Sequence, residues 1–91
     1  MTARLTLALV GDRDERIVAH RAIEAALPLV ARVLDADIEG RWLATESIDD
    51  VAALRGVHGI WCVPGSPYRS MDGALAAVRY ARERGVPLVG T

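Results

Sequence analysis

Blocks of apolar residues alternate with short polar segments along this chain. Leu5 to Val10 is apolar except for Thr6, which predicts a first buried strand closed by Gly11. Asp12-Arg13-Asp14-Glu15-Arg16 then makes a polar loop. From Ile17 to Leu34 the spacing changes: Ile23, Leu27, Val30 and Leu34 follow at four, three and four residues, one face of a helix. Pro28 falls inside it and is expected to kink or divide the helix, because it removes a backbone donor and crowds the preceding turn.

Asp35-Ala36-Asp37 reads as a turn, and Ile38 to Thr45 as a second strand with Trp42 or Leu43 buried. Ser47-Ile48-Asp49-Asp50 has capping-box spacing and predicts a short helix from Asp49 to Leu54, ended by Gly56. Ile60 to Val63 is a continuous apolar run, the signature of an interior parallel strand. Pro64-Gly65 stops it, since Pro lacks a ladder donor and Gly accepts a positive φ. A helix follows, capped by Ser70 or Asp72 and running to Arg84, with Gly85 and Pro87 as stop signals. Arg79 and Glu83 are spaced for an i,i+4 pair. Val86 to Val89 predicts a fourth strand. The βαβαβαβ order implies an α/β fold: one parallel sheet of four strands with helices on both faces, flavodoxin-like or Rossmann-like.

Composition narrows the class. The 91 residues suit one small domain spanning 1–91, and 52% apolar content excludes a disordered chain. Without Phe, the core must be aliphatic. A net charge of −1 gives no field favouring nucleic acid or an acidic membrane surface, so neither is an expected partner. A single Cys excludes an internal disulfide framework. No run reaches the roughly 18 apolar residues of a membrane span, and no secretory signal is read at the N-terminus, so a cytoplasmic location is expected.

Candidate chemistry concentrates after the third strand, because ligands of open α/β sheets bind beyond the carboxyl ends of the strands. Dinucleotide binding is disfavoured, since Gly11-Asp12-Arg13-Asp14-Glu15-Arg16 lacks the glycine fingerprint. A phospho-acceptor receiver needs an acid at the end of the central strand, where Pro64 stands. Cys62, His20 and His58 have no metal-ligand spacing, and no cofactor is expected. Cys62 lies within an apolar strand, where a thiol is a poor nucleophile, and His58 reads as structural, at the far end of the sheet. The Asp12–Arg16 loop is either a substrate-facing or interface loop or a solvated connection. His20, a lone histidine on a helix, reads as a partly exposed surface or interface residue.

Pro64-Gly65-Ser66, with Ser in place of a second Gly, resembles the oxyanion loop of class I glutamine amidotransferase domains. The likeness is greatest to the C-terminal domain of CTP synthase and its short relatives, which include selenocysteine forms. Tyr68-Arg69-Ser70-Met71-Asp72-Gly73 resembles the Arg-Gly-x-Glu-Gly continuation, and Ala19-His20-Arg21-Ala22-Ile23 a segment after the first strand. Gly85-Val86-Pro87-Leu88-Val89-Gly90-Thr91 resembles the run leading to the nucleophilic Cys, so the resemblance covers only about the first half of that domain.

It implies glutamine hydrolysis to glutamate and ammonia when complete, in pyrimidine metabolism, with glutamine as substrate and a synthase as partner. Gly65, Ser66 and Pro67 would form the oxyanion and substrate loop, with His20 and Arg69 as possible site-facing residues. The nucleophile would come after Thr91 and its His and Glu partners later still. The chain is therefore expected to be inactive alone, either cut at a selenocysteine codon or a fragment. Self-association through an uncovered sheet edge is a further expectation. The alternative is a non-catalytic binding or interaction module on a degenerate amidotransferase fold.

Overall fold

A computed structural model describes residues 3–48, 50–65 and 67–91. Strand β1 (Ala3–Val10) leads through a loop to helix α1 (Val18–Leu34) and back to β2 (Ala36–Leu43). Two 3-10 turns, Thr45–Ser47 and Val51–Leu54, precede β3 (Gly59–Cys62); helix α2 (Met71–Arg84) and β4 (Leu88–Gly90) complete the order. The four strands form one parallel sheet in the order β2-β1-β3-β4. This is the α/β architecture the sequence predicts, with β1 and β3 innermost.

The near-continuous apolar character of β1 has a direct cause: both of its faces are covered. Leu9 packs with Ile23 of α1 and Val63, joined by Leu27 and Trp42. Ala8 and Val10 point to the other side, into a cluster with Ile48, Leu54, Val57, Ile60 and the α2 residues Ala77 and Ala81. Small residues on α2 let it lie close to the sheet, and the core is aliphatic.

Several boundaries differ from the pattern-based reading. Helix α1 runs undivided through Pro28. Pro28 stands on the exposed side of the helix. The turn before β2 needs one residue rather than three: Asp35 takes a left-handed conformation (φ 50°, ψ 49°), and Ala36 already pairs with Ala3. β2 accordingly ends at Leu43, and Thr45 opens a 3-10 turn. In place of the expected helix from Asp49 to Leu54 there is the single 3-10 turn Val51–Leu54, preceded by the Thr45–Ser47 turn, and Asp49 lies outside the described residues. Asp50 caps the second turn by accepting from the Ala52 N–H at 2.9 Å, while the Ser47 hydroxyl donates backward to the Ala44 carbonyl.

β4 starts at Leu88 rather than Val86 because the Val86 N–H closes the end of α2 on the Ala81 carbonyl, and Pro87 has no N–H. The ends of α2 follow expectation: the Ser70 hydroxyl caps it by accepting from the Gly73 N–H at 3.0 Å, and Gly85 ends it at φ 68°. Arg79 and Glu83 are not among the ion pairs of the described residues. β4 is an edge strand, with Leu88 40% and Val89 50% exposed. Among the described residues, no helix is long and apolar enough to cross a membrane.

Candidate functional site

The strand order reverses between β1 and β3, and the loops leaving their carboxyl ends diverge there. Between them lies an open cleft of about 630 Å³. Residues 12–17 of the first loop form one lip, and Gly65, Pro67 and Arg69 the other. Three of the residues singled out by sequence are therefore together on the cleft. Ser66 lies outside the described residues.

His20 is placed differently from the surface reading. It is fully buried and sits beneath the cleft rather than on its wall. Its Nδ1 accepts the Asp14 backbone N–H at 3.0 Å. That bond puts the ring proton on Nε2, which donates to the Pro64 carbonyl at 2.6 Å. One side chain thus connects both lips.

Gly65 lies directly against this ring. Its φ is 120°, and a Cβ there would stand 3.1 Å from Ile17 Cδ1 and 3.3 Å from His20 Nε2. Only glycine meets both conditions without strain. Farther along the loop, the Tyr68 hydroxyl donates to the Val63 carbonyl at 2.6 Å. Burial first, then the proximity of Cys62 and Asp12, pushes the Tyr68 phenol above its ordinary value and keeps it a donor.

Asp12, which its loop setting made indistinguishable from a solvated acid, is the pivot of the arrangement. Its carboxylate accepts the Thr45 N–H at 2.9 Å, the Thr45 hydroxyl at 3.0 Å and the Arg69 N–H at 2.7 Å. Thr45, fully buried, in turn accepts the Ser70 N–H on its Oγ1 at 2.9 Å. Burial raises the Asp12 carboxyl, but the N–H of Arg69 and the N–H and hydroxyl of Thr45 outweigh it, and the net shift is downward. Gly73, in the first turn of α2, has no room for a Cβ because the Thr45 carbonyl occupies that space.

A second network stiffens the α1 side. Glu24 accepts both Arg13 Nη2 at 2.9 Å and Trp42 Nε1 at 3.1 Å. The Trp42 ring stacks at a tilt on His20 with centroids 5.0 Å apart, and the Arg13 guanidinium lies 5.9 Å from its centroid. Arg16 pairs with Asp14 at 2.8 Å, holding the Asp14 carboxyl down at about 2. The Arg69 side chain is exposed and pairs loosely with Glu46 at 3.8 Å. Both signs of charge therefore rim the cleft.

Neither Cys62 nor His58 lines the cleft. Cys62 sits in β3, and burial raises its thiol above the ordinary value. His58 pairs through Nδ1 with the Thr6 N–H at 2.9 Å, away from the loops. What the cleft offers is a preset backbone and mixed charge, with no reactive nucleophile among the described residues.

No family model matches the chain. Individual proteins do. Over 90 residues it is 34% identical to the CTP synthase of Microcystis aeruginosa and 36% identical to that of Roseiflexus castenholzii. Over 89 residues it is 38% identical to the CTP synthase of Thermomicrobium roseum. Each match takes in 96% of this chain and 16% of the relative, so the chain spans about a sixth of the length of these proteins.

Proposed function

We propose, from the premise that this chain is a relative of one segment of CTP synthase, that it forms the glutamine-facing loops of an amidotransferase site. The observation that carries this reading is Gly65: a φ of 120° at the cleft, against a buried ring that binds the preceding carbonyl. A backbone fixed in this way suits the stabilisation of an oxyanion on the glutamine amide carbon. One such donor contributes about 3 kcal/mol in acyl transfer. The mixed charges of Arg13, Arg16, Asp14 and Glu15 suit an amino-acid zwitterion.

Hydrolysis itself requires a thiolate or equivalent nucleophile and a base. Cys62 does not supply it, being set in β3 with its thiol pushed up. In this reading the chain binds L-glutamine, and the nucleophile comes from residues outside it. A complete site would release ammonia to a synthase, in pyrimidine-nucleotide metabolism. Exposed Leu88 and Val89 on edge strand β4 are where a partner or a second copy would add, and sedimentation at rising concentration tests this.

Isothermal titration calorimetry with L-glutamine, L-asparagine and D-glutamine, alongside an ammonia assay, tests the reading. Binding selective for L-glutamine without ammonia release is expected. No binding overturns it. The setting of Cys62 in β3, outside the cleft lining, favours a second reading, a binding module that never hydrolyses its ligand. Selectivity for some other amino acid would favour that one.

A further inference from the structure

We infer that His20 is a positioning residue: it fixes the Pro64–Gly65 peptide so that the Gly65 N–H is turned away from the core and into the cleft before any ligand arrives. What the N–H would act on rests on the glutamine reading above; the orientation of the peptide does not.

Two facts set the orientation. The His20 ring accepts on Nδ1 from Asp14, so it carries its proton on Nε2 and donates to the Pro64 carbonyl. In a planar trans peptide the carbonyl and the following N–H point in opposite directions. With the Pro64 carbonyl held on a fully buried ring, the Gly65 N–H faces the other way, and Gly65 lines the cleft. Gly65 also touches the ring closely enough to exclude a Cβ, so the peptide has no room to settle elsewhere.

The ring cannot turn freely either. A half-turn of the imidazole would present carbon to both the Asp14 N–H and the Pro64 carbonyl. Trp42 packs at 5.0 Å against one side, and its own N–H is tied to Glu24, which Arg13 grips. Histidine fits this position because it accepts at one nitrogen and donates at the other, bridging two loops. Gln reproduces the donor at the Nε2 position, whereas Asn reproduces only the nearer acceptor and cannot reach Pro64.

The test is solution NMR of the whole 91-residue chain and its His20→Gln and His20→Asn variants. A long-range proton–nitrogen correlation should show the Nε2–H tautomer at His20; the Nδ1–H tautomer overturns the inference. The Gly65 amide shift and its HN–Hα couplings should be kept in His20→Gln and changed in His20→Asn. An unchanged Gly65 in a folded His20→Asn variant overturns the inference. Should His20→Asn fail to fold, the wild-type tautomer and the His20→Gln spectrum decide.

L-Glutamine is then titrated against each protein. It should move Gly65 in wild type and His20→Gln, and bind about tenfold more weakly to His20→Asn, the weight of one hydrogen bond. Gly65 couplings that follow the variants while no protein responds to glutamine would uphold the positioning role and reject the glutamine reading.

Discussion

The Asp12 carboxylate accepts the backbone N–H of Arg69 at 2.7 Å, joining the end of β1 to the loop before α2 across 57 residues of sequence. The same carboxylate holds Thr45, and through Thr45 the N-cap residue Ser70. Three segments distant in sequence are located by one side chain.

Asp12→Ala is expected to destabilise the fold by about 2–3 kcal/mol, because it leaves a buried N–H and hydroxyl of Thr45 without their acceptor. Asp12→Asn keeps one carbonyl acceptor and should cost about 1 kcal/mol. Urea denaturation reads both, as a lower midpoint at unchanged slope. A midpoint for Asp12→Ala equal to wild type would contradict the role.

Acid should destabilise the protein along a defined limb. Asp12 is lowered as described, and Asp14 falls to about 2 through its hydrogen bonds with Arg16. Glu24 is lowered chiefly by Arg13 and, against some desolvation, by Trp42. Each group binds its proton less tightly when folded than at its ordinary value of 3.8 or 4.5. The stabilisation is complete above the ordinary values and is lost as pH falls through the folded ones. Urea midpoints should be maximal above about pH 5 on this account and fall toward pH 2. Asp12→Asn should flatten part of the limb. The exposed Asp14–Arg16 and Arg13–Glu24 pairs add little, and salt should screen what they add.

Gly73→Ala separates helix propensity from packing. Propensity alone favours Ala by about 1 kcal/mol. The added Cβ would collide with the Thr45 carbonyl, a backbone atom that cannot move aside alone, so a net loss of about 2 kcal/mol is expected. Gly90→Ala, with nothing within 4 Å, should be close to neutral. Equal thermal midpoints for the two variants would refute the close approach of α2 to Thr45.

Cys62 should be sluggish toward a disulfide reagent at pH 8. Burial raises its thiol, and only the thiolate attacks. A native rate about tenfold or more below that of the urea-unfolded chain is expected. A native rate exceeding the unfolded one would reopen the possibility of Cys62 as a nucleophile.

What the sequence made legible were features with local or periodic signatures. The apolar runs of β1 and β3 appear as such because their strands are covered on both sides. The Pro64-Gly65 break and the Ser70 and Gly85 caps are short-range chemistry, readable within a few residues. Asp12 was not legible, because its partners Thr45 and Arg69 lie 33 and 57 residues away and a carboxylate in a polar loop looks the same either way. His20 looked like a helical surface residue because its burial depends on Trp42 and on the loop at Pro64. The 3-10 turns replaced a helix because spacing suggests a cap but not how many turns fit between caps.

The strand order has a consequence for the chain during synthesis. β1 emerges first, yet one of its neighbours is β3, and His58 meets Thr6 only across 52 residues. At about ten residues per second, the ribosome takes about five seconds to make that stretch. β1, α1 and β2 can pair in that interval, but Ala8 and Val10 stay bare until Ile60 and the alanines of α2 arrive. The cleft waits as well, since Pro64 and Arg69 must both emerge before its two lips can be joined. The nascent chain therefore passes through a window in which one face of its partial sheet is bare apolar surface, the kind that favours aggregation.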